Sequence, residues 1–370
     1  MDTLSMEAAA AIEALRAGVV NPYVVKHATY GQESRLQRLC GQIEIMKKNG
    51  SVQVLVGGYG TGKSHLSELL AGTLEQRGFA VARLEMGASH GRAENPRSVV
   101  SAVEQSLTFS VDGRSFRGVG DLAMALRAIG PDGWYFTKEE GLIQNIYQRL
   151  PGRTKFLARF DVLRRGIPQF WGSIGANYLP NLSLTLDVPH SMSATNKAVA
   201  KLNWLAHQLR KIEVHGLVLI LDEAERAEWA VNSYRAERAS DLMMGLALTA
   251  GNLDTSGLRH YRYVQSNVYR PYNPSYMHVV FAFTHGGGLC QQICQKTGTT
   301  PEQLESLGDL EKIGIQRRML ALYAMAYGSK HATLDTRDQT KVWMNTTSDD
   351  IRSFIRGLIA ALDHRRLREG

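Results

Sequence analysis

Apolar positions along this chain follow two periods. Short runs rich in branched and apolar residues read as buried strands: "SVQVLV" at 51–56, "FAVARLEM" at 79–86, "LVLIL" at 217–221 and "HVVFAF" at 278–283. Elsewhere apolar residues recur every three or four positions. Leu66, Leu69, Leu70 and Leu74 predict a helix that Gly78 closes. "TSDDIRSFIRGLIAALDHRR" places Ile351, Phe354, Ile355, Leu358, Ile359 and Leu362 on one helical face. Thr347 or Ser348 is its cap, and His364, Arg365 and Arg366 sit at the end that the helix dipole favours for cations. "MDTLSMEAAAAIEALRAG" reads as an alanine-rich helix ending near Gly18. Strands alternating with helices predict an α/β fold with a parallel sheet flanked by helices.

The spacing of these runs sets the organisation. Residues 1–50 are a helical lead-in, 51–290 the core and 291–370 a helical C-terminal lid. A large gap separates the second strand from the third, so a mainly helical insertion is expected at about 100–205, with turns at "GPDG" and "LPGR". The last seventy residues show no winged-helix pattern. The 370 residues are 44% hydrophobic and 21% charged, ample for one large or two ordinary cores. No apolar run reaches a membrane span, and the acidic N-terminus is unlike a signal peptide. Cys40, Cys290 and Cys294 form neither a disulfide framework nor a zinc pattern and are expected to be reduced thiols in a cytoplasmic protein.

Chemistry enters at "VLVGGYGTGKSHL", residues 54–66. Gly57, Gly58, Gly60 and Gly62 crowd six positions, with Tyr59 and Thr61 between them and Lys63, Ser64 and His65 directly after. Strand, glycine loop and helix is the setting of a phosphate loop, and the spacing fits G-x-x-x-x-G-K-[ST]. Glycines let backbone N–H groups converge on an anion, and the helix N-terminus adds unpaired donors. Lys63 is then expected at the β and γ phosphates of ATP, with the Ser64 hydroxyl on Mg²⁺. The other reading is a chance glycine-rich turn.

The third strand ends in Asp222 and Glu223. Asp222 is expected to hold Mg²⁺ and Glu223 to polarise the attacking water, which points to hydrolysis rather than transfer to a small molecule. An Asp-Glu helix start is the plain alternative. The last strand ends in Thr284, with His285 in reserve, as the polar residue that contacts the γ-phosphate or the water; a hydroxyl-capped strand end is the other reading. Gly286, Gly287 and Gly288 follow and leave the chain free to respond to nucleotide.

Lys and Arg exceed Asp and Glu by 8. This permits an anionic partner such as double-stranded DNA, and also fits a merely basic protein. Two stretches mix arginines with aromatics. The first holds Arg153, Lys155, Arg159, Arg164 and Arg165 with Phe156, Phe160, Phe170 and Trp171. There, core aromatics and a solvated basic face are preferred over base stacking. The second holds Arg259, Arg262 and Arg270 among tyrosines, as a surface loop, a DNA contact or a finger into a neighbour's ATP.

Taken in series, "EALRAGVVNPYVVKHATYGQESRLQRL", "VGGYGTGKSHL", "VARLEM" and "LVLILDEAE" resemble the P-loop ATPase family of BREX phage-defence systems, the BrxC and BrxD type. The resemblance covers about residues 10–90 and 210–290. It implies an ASCE-type, AAA+-like core akin to replication-origin recognition factors. It further implies a homo-oligomeric ATPase on DNA with other defence-system proteins as partners. A DNA-loaded regulator of transposition or replication, or a STAND-type signalling NTPase with little turnover, are the alternatives.

Overall fold

The four apolar runs become four adjacent strands of one sheet in a computed structural model. It describes residues 3–17, 21, 23–24, 27, 29–87, 92–128, 193–229, 232–255, 272–305, 308–332, 342 and 351–369. The strands are Gly50–Gly57 (β1), Ala80–Glu85 (β2), Thr108–Val111 (β3), Arg114–Arg117 (β4), Leu217–Asp222 (β5), Met277–Phe283 (β6) and Glu302–Leu304 (β7). Their order across the sheet is β4-β3-β2-β5-β6-β1-β7. β2, β5, β6, β1 and β7 are parallel, and β3 and β4 extend the edge antiparallel. The protein is thus a mixed α/β chain with a mostly parallel sheet compatible with a P-loop-like core.

The helices are Thr3–Ala17 (α1), Glu33–Ile45 (α2), Lys63–Gln76 (α3), Pro96–Ser106 (α4), Gly118–Ala128 (α5), Ala194–Lys211 (α6), Ser233–Ala250 (α7), Gly288–Thr297 (α8), Asp309–Tyr327 (α9) and Ile351–Glu369 (α10). Helices α2 to α8 cover both faces of the sheet, which is why its central strands are apolar throughout. Side chains alternate between faces. Leu217, Leu219 and Leu221 join Val279, Phe281 and Phe283 under α4, α6, α7 and α8. Val218, Ile220, Val280 and Leu55 face α2 and α3 on the other side. Each fully buried aliphatic side chain there contributes about 1.5–3 kcal/mol through area removed from water.

The described part of the insertion holds a hairpin that the sequence reading did not name. Besides α4, α5 and α6 it supplies the hairpin β3–β4, which widens the sheet. Its turn is Asp112-Gly113, both at positive φ (50° and 73°), a pair that matches the twist of a two-residue hairpin. "GPDG", "LPGR", the basic-aromatic stretch at 153–171, Arg259, Arg262, Arg270, Thr347 and Ser348 lie outside the described residues.

Both ends of the chain meet in a separate apolar cluster. Ala8, Ala11 and Ile12 of α1 pack with Met319, Leu322 and Tyr323 of α9 and Phe354, Leu358 and Leu362 of α10. A polar knot ties the three helices. Asp363 accepts from Arg16 Nε at 2.9 Å, Arg16 Nη2 at 2.6 Å and the Tyr323 hydroxyl at 2.7 Å. Cys40 and Cys290 are buried free thiols, and Cys294 is half-buried. Among the described residues no helix is long and apolar enough to cross a membrane.

Candidate functional site

The site lies at the C-terminal ends of the parallel strands, where open α/β sheets collect ligands. β1 ends at Gly57, residues 58–62 turn, and α3 begins at Lys63. Gly60 and Gly62 take φ of 81° and 90°, the left-handed region that favours glycine. This bend aims the first N–H groups of α3 into the space above the strands, a ready anion seat. The Lys63 ammonium is buried under the loop and donates to the carbonyls of Gly57 (2.6 Å) and Gly58 (2.9 Å). Burial lowers its pKa, and the carboxylates of Glu225, Asp222 and Glu223 oppose that shift.

Asp222 closes β5. It falls in phase with Val218 and Ile220, so it points to the α3 side of the sheet and is buried. Its Oδ2 meets Arg83 Nη2 of β2 at 3.3 Å, and Arg83 Nη1 meets Glu68 of α3 at 2.6 Å. Arg83 therefore joins the buried acid at the end of β5 to helix α3. Glu223 follows at φ 55°, a left-handed conformation uncommon for a side-chain-bearing residue. Its carboxylate is ion-paired to Arg226. Burial raises the Glu223 pKa above the ordinary carboxylate value, with Arg226 opposing.

β6 lies between β5 and β1 and ends beside both motifs. Thr284 lines the same pocket as Lys63, Ser64, Asp222 and Glu223. His285 is exposed and is not among the lining residues. Of the loop residues, Tyr59, Gly60 and Gly62 line the pocket. Gly57, Gly58 and Thr61 form its support, with the Thr61 hydroxyl donating to Gly58 O at 2.9 Å. His65 lines it too; its Nε2 lies 2.6 Å from the Thr29 hydroxyl. Burial, then the nearby Arg83 charge, hold the His65 pKa down at about 4, so the ring is neutral near pH 7.

The opposite wall was not visible in the motifs. Leu15, Val24, Ile315, Met319 and Ile355 give the pocket an apolar lobe, and Thr29, Tyr30 and Gln32 join it to the loop. Ile351 N–H donates to Gly60 O at 3.2 Å, so the first turn of α10 sits on the phosphate loop. Arg352 reaches the pocket from that turn, with its guanidinium 5.6 Å from the Tyr59 ring centroid. Ile351 and Ile355 had a local signal, the apolar face of the predicted C-terminal helix, and that signal says nothing of a pocket.

The residues suit a nucleoside triphosphate with a divalent cation. Anion donors, one lysine and one buried acid surround the polar half, and an apolar lobe forms the other. Among the described residues no cluster of three or more His, Cys, Asp or Glu could hold a metal by itself. A cation at Ser64 and Asp222 would need phosphate or water to complete its shell.

Comparison with known proteins agrees with the loop. Residues 5–112 match the family model described as BREX system ATP-binding protein BrxC/D. Over that span the chain is similar to the BrxC/D type, in line with the resemblance read from its motifs, and the match covers the glycine loop, α3 and β2. No curated protein and no solved structure matches the chain.

Proposed function

We propose that this protein is a Mg²⁺-dependent ATPase with an AAA+-like core, working as a homo-oligomer on double-stranded DNA in an antiphage, BREX-like system. The observation that carries the ATPase reading is the convergence of Lys63, Ser64, Asp222, Glu223 and Thr284 on one pocket. β6 inserts between the strands bearing the loop and the acids, where a polar strand end can meet the terminal phosphate. Lys63 and the α3 N-terminus neutralise the phosphates, and Ser64 and Asp222 hold the cation, which supplies further charge neutralisation. Glu223 takes the proton of the attacking water; its raised pKa moves it toward the range useful for a base near neutrality. The base of the nucleotide rests on Val24, Ile315, Met319 and Ile355. The DNA reading rests on the excess of 8 basic residues and on Arg356 and Arg368, both exposed on α10. Other defence-system proteins and a cytoplasmic location follow from the same reading.

One observation favours a second reading, a nucleotide-controlled switch with little turnover. Glu223 is engaged by Arg226, so the base is partly withheld. Phosphate release with Mg-ATP, measured with and without duplex DNA, separates the two. Turnover stimulated by DNA supports the first, and tight ATP retention without turnover supports the second. Lys63→Ala is expected to weaken ATP at least tenfold, about 1.4 kcal/mol, by calorimetry. Unchanged affinity in that variant sinks both readings.

A further inference from the structure

Two more acids follow Asp222-Glu223, and both reach the segment that leaves β6. They lie on the short 3-10 turn Ala224–Glu228. Glu225 is only 8% exposed, and its Oε2 accepts the backbone N–H of Thr284 at 3.1 Å. Glu228 Oε1 accepts the N–H of Leu289 at 2.8 Å, in the first turn of α8. Its carboxylate lies so close to Gly287 and Gly288 that an added Cβ would come within 3.2 Å of it. One turn therefore grips both ends of residues 284–289.

A buried carboxylate is costly unless donors satisfy it, and a charge-assisted bond to a backbone N–H is among the stronger ones. The grip on Thr284 is therefore firm, and it falls on the main chain. The Thr284 side chain stays available to the pocket that it lines. Burial lowers the Lys63 pKa, and the Glu225 carboxylate, with Asp222 and Glu223, opposes that shift. The contact of Glu225 with the polar strand end is direct, through the Thr284 N–H.

We propose that Glu225 is a positioning residue that fixes the Thr284 backbone so that the Thr284 hydroxyl meets the terminal phosphate, while Glu228 anchors the far end of the same segment. Turn 224–228 and segment 284–289 then move as one body, and the acids and the phosphate contact keep their spacing. This rests on the ATP-hydrolysis reading. Misplacing a catalytic contact by about 1 Å can cost on the order of 10²-fold in rate, so losing the tether has a kinetic price.

The test uses the full chain and two readouts. Amide hydrogen exchange on nucleotide-free protein reads the tether without reference to hydrolysis. Glu225→Ala is expected to speed exchange at Thr284 at least tenfold, while Glu225→Gln, which keeps an acceptor oxygen, retains most of the protection. With Mg-ATP, Glu225→Ala should lower kcat tenfold or more and leave ATP affinity within twofold. Glu225→Gln should recover most of the loss. In a Thr284→Val background Glu225→Ala should add little, because the two act through one contact. If the alanine variant does not fold, Glu225→Asn, polar but one methylene too short, carries the same comparison. Unchanged exchange at Thr284 overturns the proposal, and so does a kcat within twofold of wild type or full additivity with Thr284→Val. If the wild-type protein does not hydrolyse ATP, the hydrolysis reading fails separately, and the role at the phosphate falls with it even where exchange shows the tether.

Discussion

On one side of the pocket stand Gly60, Gly62, Lys63 and Ser64, within five positions of sequence; on the other stand Leu15, Val24, Met319 and Ile355, drawn from both ends of the chain. The first wall is set by local backbone. Two left-handed glycines and a helix start produce it wherever β1 ends. The second exists only when α1, α9 and α10 have found one another. The first wall is polar and suits phosphates; the second is apolar and suits a ring. The two touch at Ile351 N–H on Gly60 O and at Arg352 on Tyr59. Chemistry and seating are thus lodged in different parts of the molecule and can be broken separately.

The largest expected effect falls on the chemistry of the polar wall. Glu223→Gln keeps size and most hydrogen bonding but removes the carboxylate proposed as the base. Turnover should fall by 10² or more, about 2.7 kcal/mol on the barrier, with ATP affinity retained. Phosphate release and calorimetry on the same preparation check it. Collapsed affinity would make Glu223 a metal ligand and put the base elsewhere.

The next effect falls on the apolar wall. Asp363→Ala removes the acceptor shared by Arg16 and Tyr323. Hydrogen bonds to charged groups contribute about 1.5–3 kcal/mol each, and these are partly exposed, so a loss of about 2 kcal/mol is expected. Hydrogen exchange should quicken in α1, α9 and α10 while β1, β5 and β6 stay protected. If the sheet loosens equally, the two walls are one cooperative unit and the comparison fails.

What was legible in the sequence follows the same division. The glycine loop, the acids after β5 and the end of β6 are each carried by about ten consecutive residues, and the structure gathers them around one pocket. The strands were legible because central parallel strands are apolar without a break. The helical wall was not, because its knot joins Arg16 to Asp363, 347 positions apart, and no local period encodes that contact. β7 has three residues and so no measurable alternation. The hairpin β3–β4 did leave a signal, the Asp112-Gly113 turn, which passed unread inside a segment expected to be helical. Arg83 read as part of a strand; its bond to Asp222 depends on the lateral pairing of β2 with β5.

The opposite end of the sheet offers a control that neither wall should feel. His278 is fully buried, with Nδ1 2.8 Å from the Ser51 hydroxyl and the ring edge-on to Phe79. Burial holds its pKa at about 3, far below the ordinary 6.5. Between those values the unfolded chain binds the proton and the folded chain does not. Stability is therefore fully present above pH 6.5 and falls as pH drops toward 3, by up to about 1.4 kcal/mol per pH unit from this group. Urea midpoints from pH 7 to 5 should show that slope, and His278→Leu should flatten it by that amount. An unchanged slope would assign the acid lability to other groups.

The smallest effect concerns the contact between the walls. Tyr59 is 70% exposed, so its ring adds little to the core; its neighbour is the Arg352 guanidinium, with Nη1 3.4 Å from the phenol oxygen. An exposed cation–π contact contributes about 0.5–1 kcal/mol, best on Trp and absent on an aliphatic chain. If seating α10 on the loop completes the pocket, that energy passes into nucleotide affinity through the fraction of molecules already seated. Tyr59→Leu should then weaken ATP by roughly two- to fivefold. Tyr59→Phe should stay near wild type, and Tyr59→Trp should match or exceed it. Global stability should hardly move in any of the three. The ranking matters more than the size. A loss in Tyr59→Phe equal to that in Tyr59→Leu would mean that the hydroxyl, not the ring, holds Arg352. No loss in any variant would leave the seat to the Ile351–Gly60 hydrogen bond and the apolar lobe behind it.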